Sequence, residues 1–290
     1  MNNKTYFADI VIKNACIADG TSNPYYYDDI AIRNGVIVFI GNTSKYRSGV
    51  VIDADGKMVT PGFIDSHSHS DASVWANPEC QSTVRQGVTT EIVGQCGMIG
   101  PAFAPEEIES IADDIVSIYD QMPPDGTFDN VFPKIEKIGI SENFVWFCGH
   151  NKLREIAGIN GKNYSKKQFN IMEHHLRIAM EAGFAGLSTG LEFLPGSLAS
   201  QEEINKLVGV IKEYDGIYTS HIRNRDSKVY EALEEFINVI RRHKVRGVVS
   251  HLSIRENTGA PENALKNCIE ILHHVRKNER LNIITDMIPT

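Results

Sequence analysis

Two hydrophobic rhythms divide the chain. Up to Lys57 apolar and polar positions alternate, which is the period of a half-buried strand. The segment DIVIKNACIADG reads as a strand that turns at Asp19-Gly20. DIAIRNGVIVFIG alternates on both sides of Asn34-Gly35, a pair that tolerates the positive φ of a two-residue type I′ turn. VVIDADGKMV adds a short strand or hairpin around Asp55-Gly56. Residues 1–57 are therefore expected to form a small N-terminal β domain.

From Met58 the rhythm changes, and short apolar runs alternate with longer amphipathic stretches. Strands are predicted within MVTPGFIDSH, TTEIVGQC, FVWFCGH, AGLSTGL, GIYTSHIR, GVVSHLS and NIITDMIP. Between them lie helices. Glu106 to Met122 places Ile108, Ile111, Ile115 and Ile118 at helical spacing. Ser165 and Gln168 form a capping box that opens a helix to about Ala182, with Gly183 as its stop. Ser200 and Glu203 form a second, whose helix ends near Gly216. Pro261 suits a first helical position, where its missing N–H costs nothing, and that helix runs to about Arg276. Such alternation implies a parallel sheet with right-handed crossovers. The strands outnumber those of a small doubly wound domain and fit a (β/α)8 barrel, whose catalytic groups sit at the C-terminal strand ends. The expected fold is α/β: a distorted, incomplete TIM-like barrel of about seven strands over residues 58–290, lacking the eighth when the sequence reaches Thr290.

Composition excludes more than it adds. The 290 residues hold 37 acidic and 29 basic side chains, a net charge of −8. That balance argues against a protein that binds a nucleic-acid backbone. No apolar run approaches the roughly 20 residues that span a bilayer, and the opening MNNKTYFAD has no signal-peptide apolar segment. Five cysteines, odd in number and sparse, do not make a disulfide scaffold, so a reducing, cytoplasmic setting is expected.

The chemistry gathers at predicted strand ends. His67 and His69 lie in IDSHSHSD, two apart and so on one side of a strand. Cys96 closes EIVGQC, His221 closes GIYTSH, and His251 closes GVVSH. Imidazoles and a thiolate are good ligands for zinc or a related transition metal. A bound cation lowers the pKa of its water towards about 7 from roughly 15.7. A lone strand-end histidine is more often an ordinary hydrogen-bonded residue; the combined set points to a metal. Cys16, Cys80, Cys148 and Cys268 show no such arrangement and read as small packing residues. His174, His175, His273 and His274 are adjacent pairs on helices, and His243 sits near a helix end. His150, after FVWFCG, is either structural or a substrate contact at the active-site rim, and Arg154 orders that loop or binds an anion. Arg223 suits either a substrate carboxylate or an internal salt bridge.

The segments VTPGFIDSHSHSD, QGVTTEIVGQCG, GFAGLSTGLEFLPG, YTSHIRNRD and VVSHLS together make the chain similar to the metal-dependent amidohydrolase superfamily, and within it to the D-aminoacylase and N-acyl-D-amino-acid deacylase group. The resemblance implies a urease-like β-sandwich joined to a distorted barrel. It implies that Cys96, His221 and His251 hold a tightly bound zinc. His67 and His69 would belong to a second, weaker position, and Cys96 would stand where other amidohydrolases use a carboxylated lysine. One or two Zn2+ ions, or other divalent metals, are thus expected. The implied reaction is hydrolysis of the amide of an N-acyl amino acid by metal-activated water.

The family's catalytic aspartate follows the eighth barrel strand, and no residue here matches it; neither Asp65 nor Asp286 is a convincing substitute. Where the family has substrate-binding tyrosines and a lysine, this chain has Phe193, Ser253, Ile288 and Thr290. Those changes point towards a cyclic amide, a modified peptide or a less charged acyl compound, because an unpaired buried carboxylate is costly. A partner subunit, or a further segment, is expected to supply the eighth strand, the aspartate and the rest of the β domain, giving a hetero-oligomer in the first case. The alternatives are a non-catalytic metal-binding or regulatory subunit and a truncated remnant.

Overall fold

The computed structural model describes residues 4–71, 73–75, 77–98, 128–255 and 258–288. It divides into two compact units, residues 1–63 and 64–290. The predicted helix from Glu106 to Met122 lies outside the described residues.

The first unit is a mixed sheet of β1 (Tyr6–Ile17), β2 (Tyr26–Arg33), β3 (Val36–Ile40), β4 (Tyr46–Asp53) and β5 (Met58–Val59). Its order is β3-β2-β1-β4, and β5 pairs with Cys16 and Ile17 at the end of β1. β2 runs antiparallel to both neighbours, whereas β4 and β5 run parallel to β1. Asn34 and Gly35 adopt φ of 51° and 71°, the left-handed values a type I′ turn demands. Its core is small: Ala15, Ile17, Ile30 and Ala54 form one cluster, and Ala8, Val11 and Ala31 another. All of β3 is exposed, as are Val50, Val51 and Ile52 of β4.

The second unit is a seven-stranded sheet built in sequence order. Its strands are β6 (Phe63–Asp65), β7 (Val88–Val93), β8 (Asn143–Gly149), β9 (Gly186–Gly190), β10 (Ile217–His221), β11 (Arg246–Val249) and β12 (Ile283–Thr285). From β7 to β12 every pairing is parallel. Helices fill the crossovers: α1 (Gln81–Val84), α2 (Val131–Ile138), α3 (His150–Ile156), α4 (Lys166–Ala182), α5 (Gln201–Lys212), α6 (Val229–His243) and α7 (Ala264–Asn278). This is the distorted TIM-like α/β architecture that the strand–helix alternation predicts. MVTPGFIDSH holds two strands, not one: Met58–Val59 joins the first sheet, and Phe63–Asp65 opens the second.

Local chemistry explains the helix ends, with two departures. At α4 the Ser165 hydroxyl accepts the Gln168 N–H at 3.2 Å while Gln168 Oε1 accepts the Ser165 N–H at 3.0 Å, and Gly183 closes the helix at φ 111°. At α5 Ser200 accepts the Glu203 N–H, but the Glu203 carboxylate does not reach back. It is fully buried and pairs instead with Arg154 and His150, since a buried charge needs a partner more than a cap needs a second bond. Pro261 precedes α7 without starting it; the helix begins at Ala264, after Asn263 in a left-handed conformation.

The interior under the strand ends is polar, and its hydroxyls bond to one another. Thr189 Oγ1 lies 2.8 Å from Ser220 Oγ and 3.1 Å from Tyr218 Oη, and Thr219 Oγ1 lies 3.0 Å from Ser250 Oγ. These hydroxyls tie β9, β10 and the end of β11 together side to side, which fixes the positions of the residues that follow them. Among the described residues no helix is long and apolar enough to cross a membrane.

Candidate metal centre

Five ligand-type side chains are delivered by four strand ends. His67 follows β6, and its N–H is accepted by Asp65 Oδ1 at 3.0 Å. The next residue is pinned to β7: the Ser68 N–H bonds to the Ile92 carbonyl at 2.9 Å and its hydroxyl to buried Glu91. His69 is carried just beyond. Cys96 follows β7, His221 is the last residue of β10, and His251 follows β11.

Two of these residues take unusual backbone conformations. Cys96 has φ 57° and His251 φ 34°, in the left-handed region that side chains other than glycine's rarely occupy. Such strain clusters at functional sites because the surrounding structure must impose it. Here it turns each chain sharply off its strand, so that the side chain enters the cluster. Gly190 permits the turn at Cys96: a Cβ at Gly190 would lie 1.9 Å from the Cys96 carbonyl oxygen.

The side chains converge as two groups that share Cys96. His67, His69 and Cys96 form one, Cys96, His221 and His251 the other, and within each the ligand atoms lie within 4.8 Å of one another. Cys96 Sγ is 3.2 Å from His251 Nε2 and 3.4 Å from His67 Nε2. The second group is buried throughout, whereas His69 is exposed. Burial, with the neighbouring His221, His67 and Arg225, pushes the His251 pKa down to about 3. Burial also takes His221 down to about 4, against the pull of Glu192. His69, although its side chain reaches solvent, is lowered by desolvation among its neighbours and by His67. The His221 and His251 imidazoles are therefore neutral near neutral pH, the form that ligates. Burial pushes the Cys96 thiol up to about 12, so only a cation that replaces its proton makes it a thiolate near neutral pH. This soft donor set fits zinc.

Three further residues belong to the centre. Glu192 Oε2 lies 2.7 Å from His221 Nε2. Asp286, directly after β12, lies 3.1 Å from His67 Nδ1 through Oδ2, and its Oδ1 accepts the His251 N–H. Arg225 Nη1 lies 3.1 Å from His251 Nδ1 and 3.2 Å from Ser253 Oγ. Asp286 thus enters as a partner of two ligand-bearing segments. Arg225 stands in the SHIRNRD stretch, but nothing in the sequence aimed it at His251. For Glu192 the only signal was its position in the loop after STGL.

The candidate substrate residues separate. Phe193 packs its ring 4.5 Å from that of His221, centroid to centroid. Ser253 accepts from Arg225 beside His251. Ile288 is 57% exposed; Thr290 lies outside the described residues. His150 is 0% exposed, its Nε2 2.8 Å from Glu203. Arg154 joins the same carboxylate, so this trio ties α3 to α5 inside the unit. Arg223 engages Glu235 at 2.8 and 2.9 Å and the carbonyls of Ser197 and Ala199, the internal salt bridge of its two alternatives. Cys16, Cys80, Cys148 and Cys268 are buried free thiols.

A sequence profile of the amidohydrolase family matches residues 50–127. An N-acyl-D-glutamate deacylase of Alcaligenes xylosoxydans xylosoxydans is 33% identical over 244 residues, covering 84% of this chain and 49% of that protein. The chain belongs to the amidohydrolase superfamily. Within that superfamily it falls in the D-aminoacylase and N-acyl-D-amino-acid deacylase group. An N-acyl-D-aspartate deacylase of the same organism is 32% identical over 250 residues, with 84% and 49% covered. The crystal structure of an N-acyl-D-glutamate deacylase from Bordetella bronchiseptica, complexed with zinc and a phosphonate mimic of the tetrahedral intermediate, superposes with a TM-score of 0.87 at 29% identity. That match covers 98% of this chain and 59% of the other. The chain spans about half the length of the curated relatives it matches.

Proposed function

We propose that this chain carries the metal centre of a hydrolase that cleaves the amide of an N-acyl amino acid, or of a related cyclic or modified amide. The observation that carries this reading is the convergence of Cys96, His67, His69, His221 and His251 from the C-terminal ends of four barrel strands, β6, β7, β10 and β11. Cys96, His221 and His251 would hold one Zn2+, and His67 and His69, sharing Cys96, a second; other divalent metals are alternatives for the latter. When bound, such a cation polarises a carbonyl and supplies a hydroxide at neutral pH.

The remaining steps belong to protein residues. Asp286 orients: one oxygen faces His67 and the other takes the His251 N–H, so the carboxylate braces both ligand-bearing segments. Phe193 covers the His221 ring with an apolar edge, and Ser253 offers a hydroxyl in place of the group's lysine. Phe193, Ser253 and Ile288 would set specificity, favouring an amide with less charge than a free N-acyl-D-amino acid. No proton-transferring group is assigned within this sequence.

The barrel and the β domain are completed, in this proposal, by residues outside this sequence, on the same chain or on a partner subunit. The first sheet would be part of a urease-like β-sandwich, with the domains dividing after Val59. A cytoplasmic location fits the buried free thiols. The test is hydrolysis of a panel of N-acyl amino acids and cyclic amides by the native, zinc-loaded assembly. Turnover that disappears in Cys96→Ala and His251→Ala is the expected result. A zinc-replete assembly inert towards every amide would leave the non-catalytic metal-binding role in its place.

A further inference from the structure

His221 offers two ring nitrogens, and the structure treats them differently. Nε2 lies 2.7 Å from Glu192 Oε2, with the two side chains only 3% and 10% exposed. An ionised carboxylate accepts hydrogen bonds and cannot donate them. The contact is a hydrogen bond only if Nε2 carries the proton, and the lone pair is then on Nδ1. That Nδ1 is buried and has no hydrogen-bond partner among the described residues. An unsatisfied buried acceptor is costly and calls for an explanation. A ring nitrogen reserved for a cation is such an explanation.

The carboxylate is itself held. Arg225 Nη2 lies 3.5 Å from the same Glu192 oxygen, and Arg255 Nη2 pairs with it too. Phe193, the next residue, packs its ring 4.5 Å from the His221 ring at an interplanar angle of 66°. The loop after β9 therefore grips the imidazole at its Nε2 edge and against its ring. His251 shows the opposite arrangement: Arg225 donates to its Nδ1, and its Nε2 faces Cys96 at 3.2 Å.

We infer that Glu192 is a positioning residue of the metal centre, holding His221 as the Nε2–H tautomer so that Nδ1 is the atom presented to the cation. The inference rests on the proposed reading of the site and adds the ligating atom and its partner to it. Such outer partners fix ring orientation and raise ligand basicity.

The decisive measurement needs no substitution. In the metal-free native assembly with 15N-labelled histidine, His221 is expected to show a protonated Nε2 and an unprotonated Nδ1 by NMR. Zinc affinity, read by competition with a chromophoric chelator, is expected to fall roughly 10- to 100-fold in Glu192→Ala. Glu192→Gln, whose amide oxygen still accepts the Nε2–H, restores most of it. An Nδ1–H tautomer in the unsubstituted chain, or a folded Glu192→Ala variant of unchanged zinc affinity, overturns the inference and leaves the metal centre standing. An unsubstituted chain that takes up no zinc overturns both.

Discussion

The two ligand groups that share Cys96 are built unequally. Cys96, His221 and His251 are buried, and each histidine of the group has a charged group against one ring nitrogen, Glu192 or Arg225. In the other group, His67 is braced by Asp286 while His69 is exposed. The difference teaches where tight binding comes from. A buried, pre-oriented donor has given up its water and its rotamer freedom on folding, so little is lost when a cation arrives. An exposed imidazole loses both at the moment of binding. In the proposed site the buried group would be the one for tight occupancy and the exposed one for a weaker second ion. If one sulfur serves both, the two occupancies are coupled.

The largest expected effect follows from that shared atom. Cys96→Ala removes a ligand from both positions, and the metal content measured by atomic emission is expected to fall to background. A variant that keeps a full equivalent would refute Cys96 as the bridge. The next effect splits the groups. His221→Ala should weaken the tight site by more than the roughly 10- to 100-fold typical of losing an outer partner. His69→Ala should leave that first equivalent unchanged and remove only a second, weaker one, as read by zinc titration. Equal losses in the two variants would erase the distinction between the groups.

Much of this arrangement was legible in the sequence. Histidines two apart at a strand end face one way whatever the rest of the fold does, and the strand–helix alternation put Cys96, His221 and His251 at the C-terminal ends of separate strands that open on one barrel mouth. What stayed hidden depends on contacts between distant segments. Glu192 meets His221 across two strand-end loops, and Asp286 reaches His67 from the opposite edge strand of the sheet. The left-handed backbone at Cys96 and His251 has no signature, because neither residue is glycine or asparagine. Glu203 misled for a related reason: its spacing after Ser200 spelled a capping box, but burial beside Arg154 gave its carboxylate a stronger claim.

The finest test of the comparison counts protons. Near neutral pH His221 and His251 are already neutral, with pKa values pushed down to about 4 and about 3, so a cation displaces no proton from either. The Cys96 thiol, pushed up to about 12, is still protonated, and ligation must expel that proton. The sign follows: binding releases a proton, so affinity rises with pH. Between about pH 6 and pH 8 the first zinc should release about one proton, and its association constant should rise about tenfold per pH unit. Calorimetry in buffers of different ionisation enthalpy reads the count directly. A second ion uses a sulfur already deprotonated by the first, so the thiol adds no proton to its step. A first step that releases no proton would mean that Cys96 is not a ligand, and the sulfur would have to be removed from both sites.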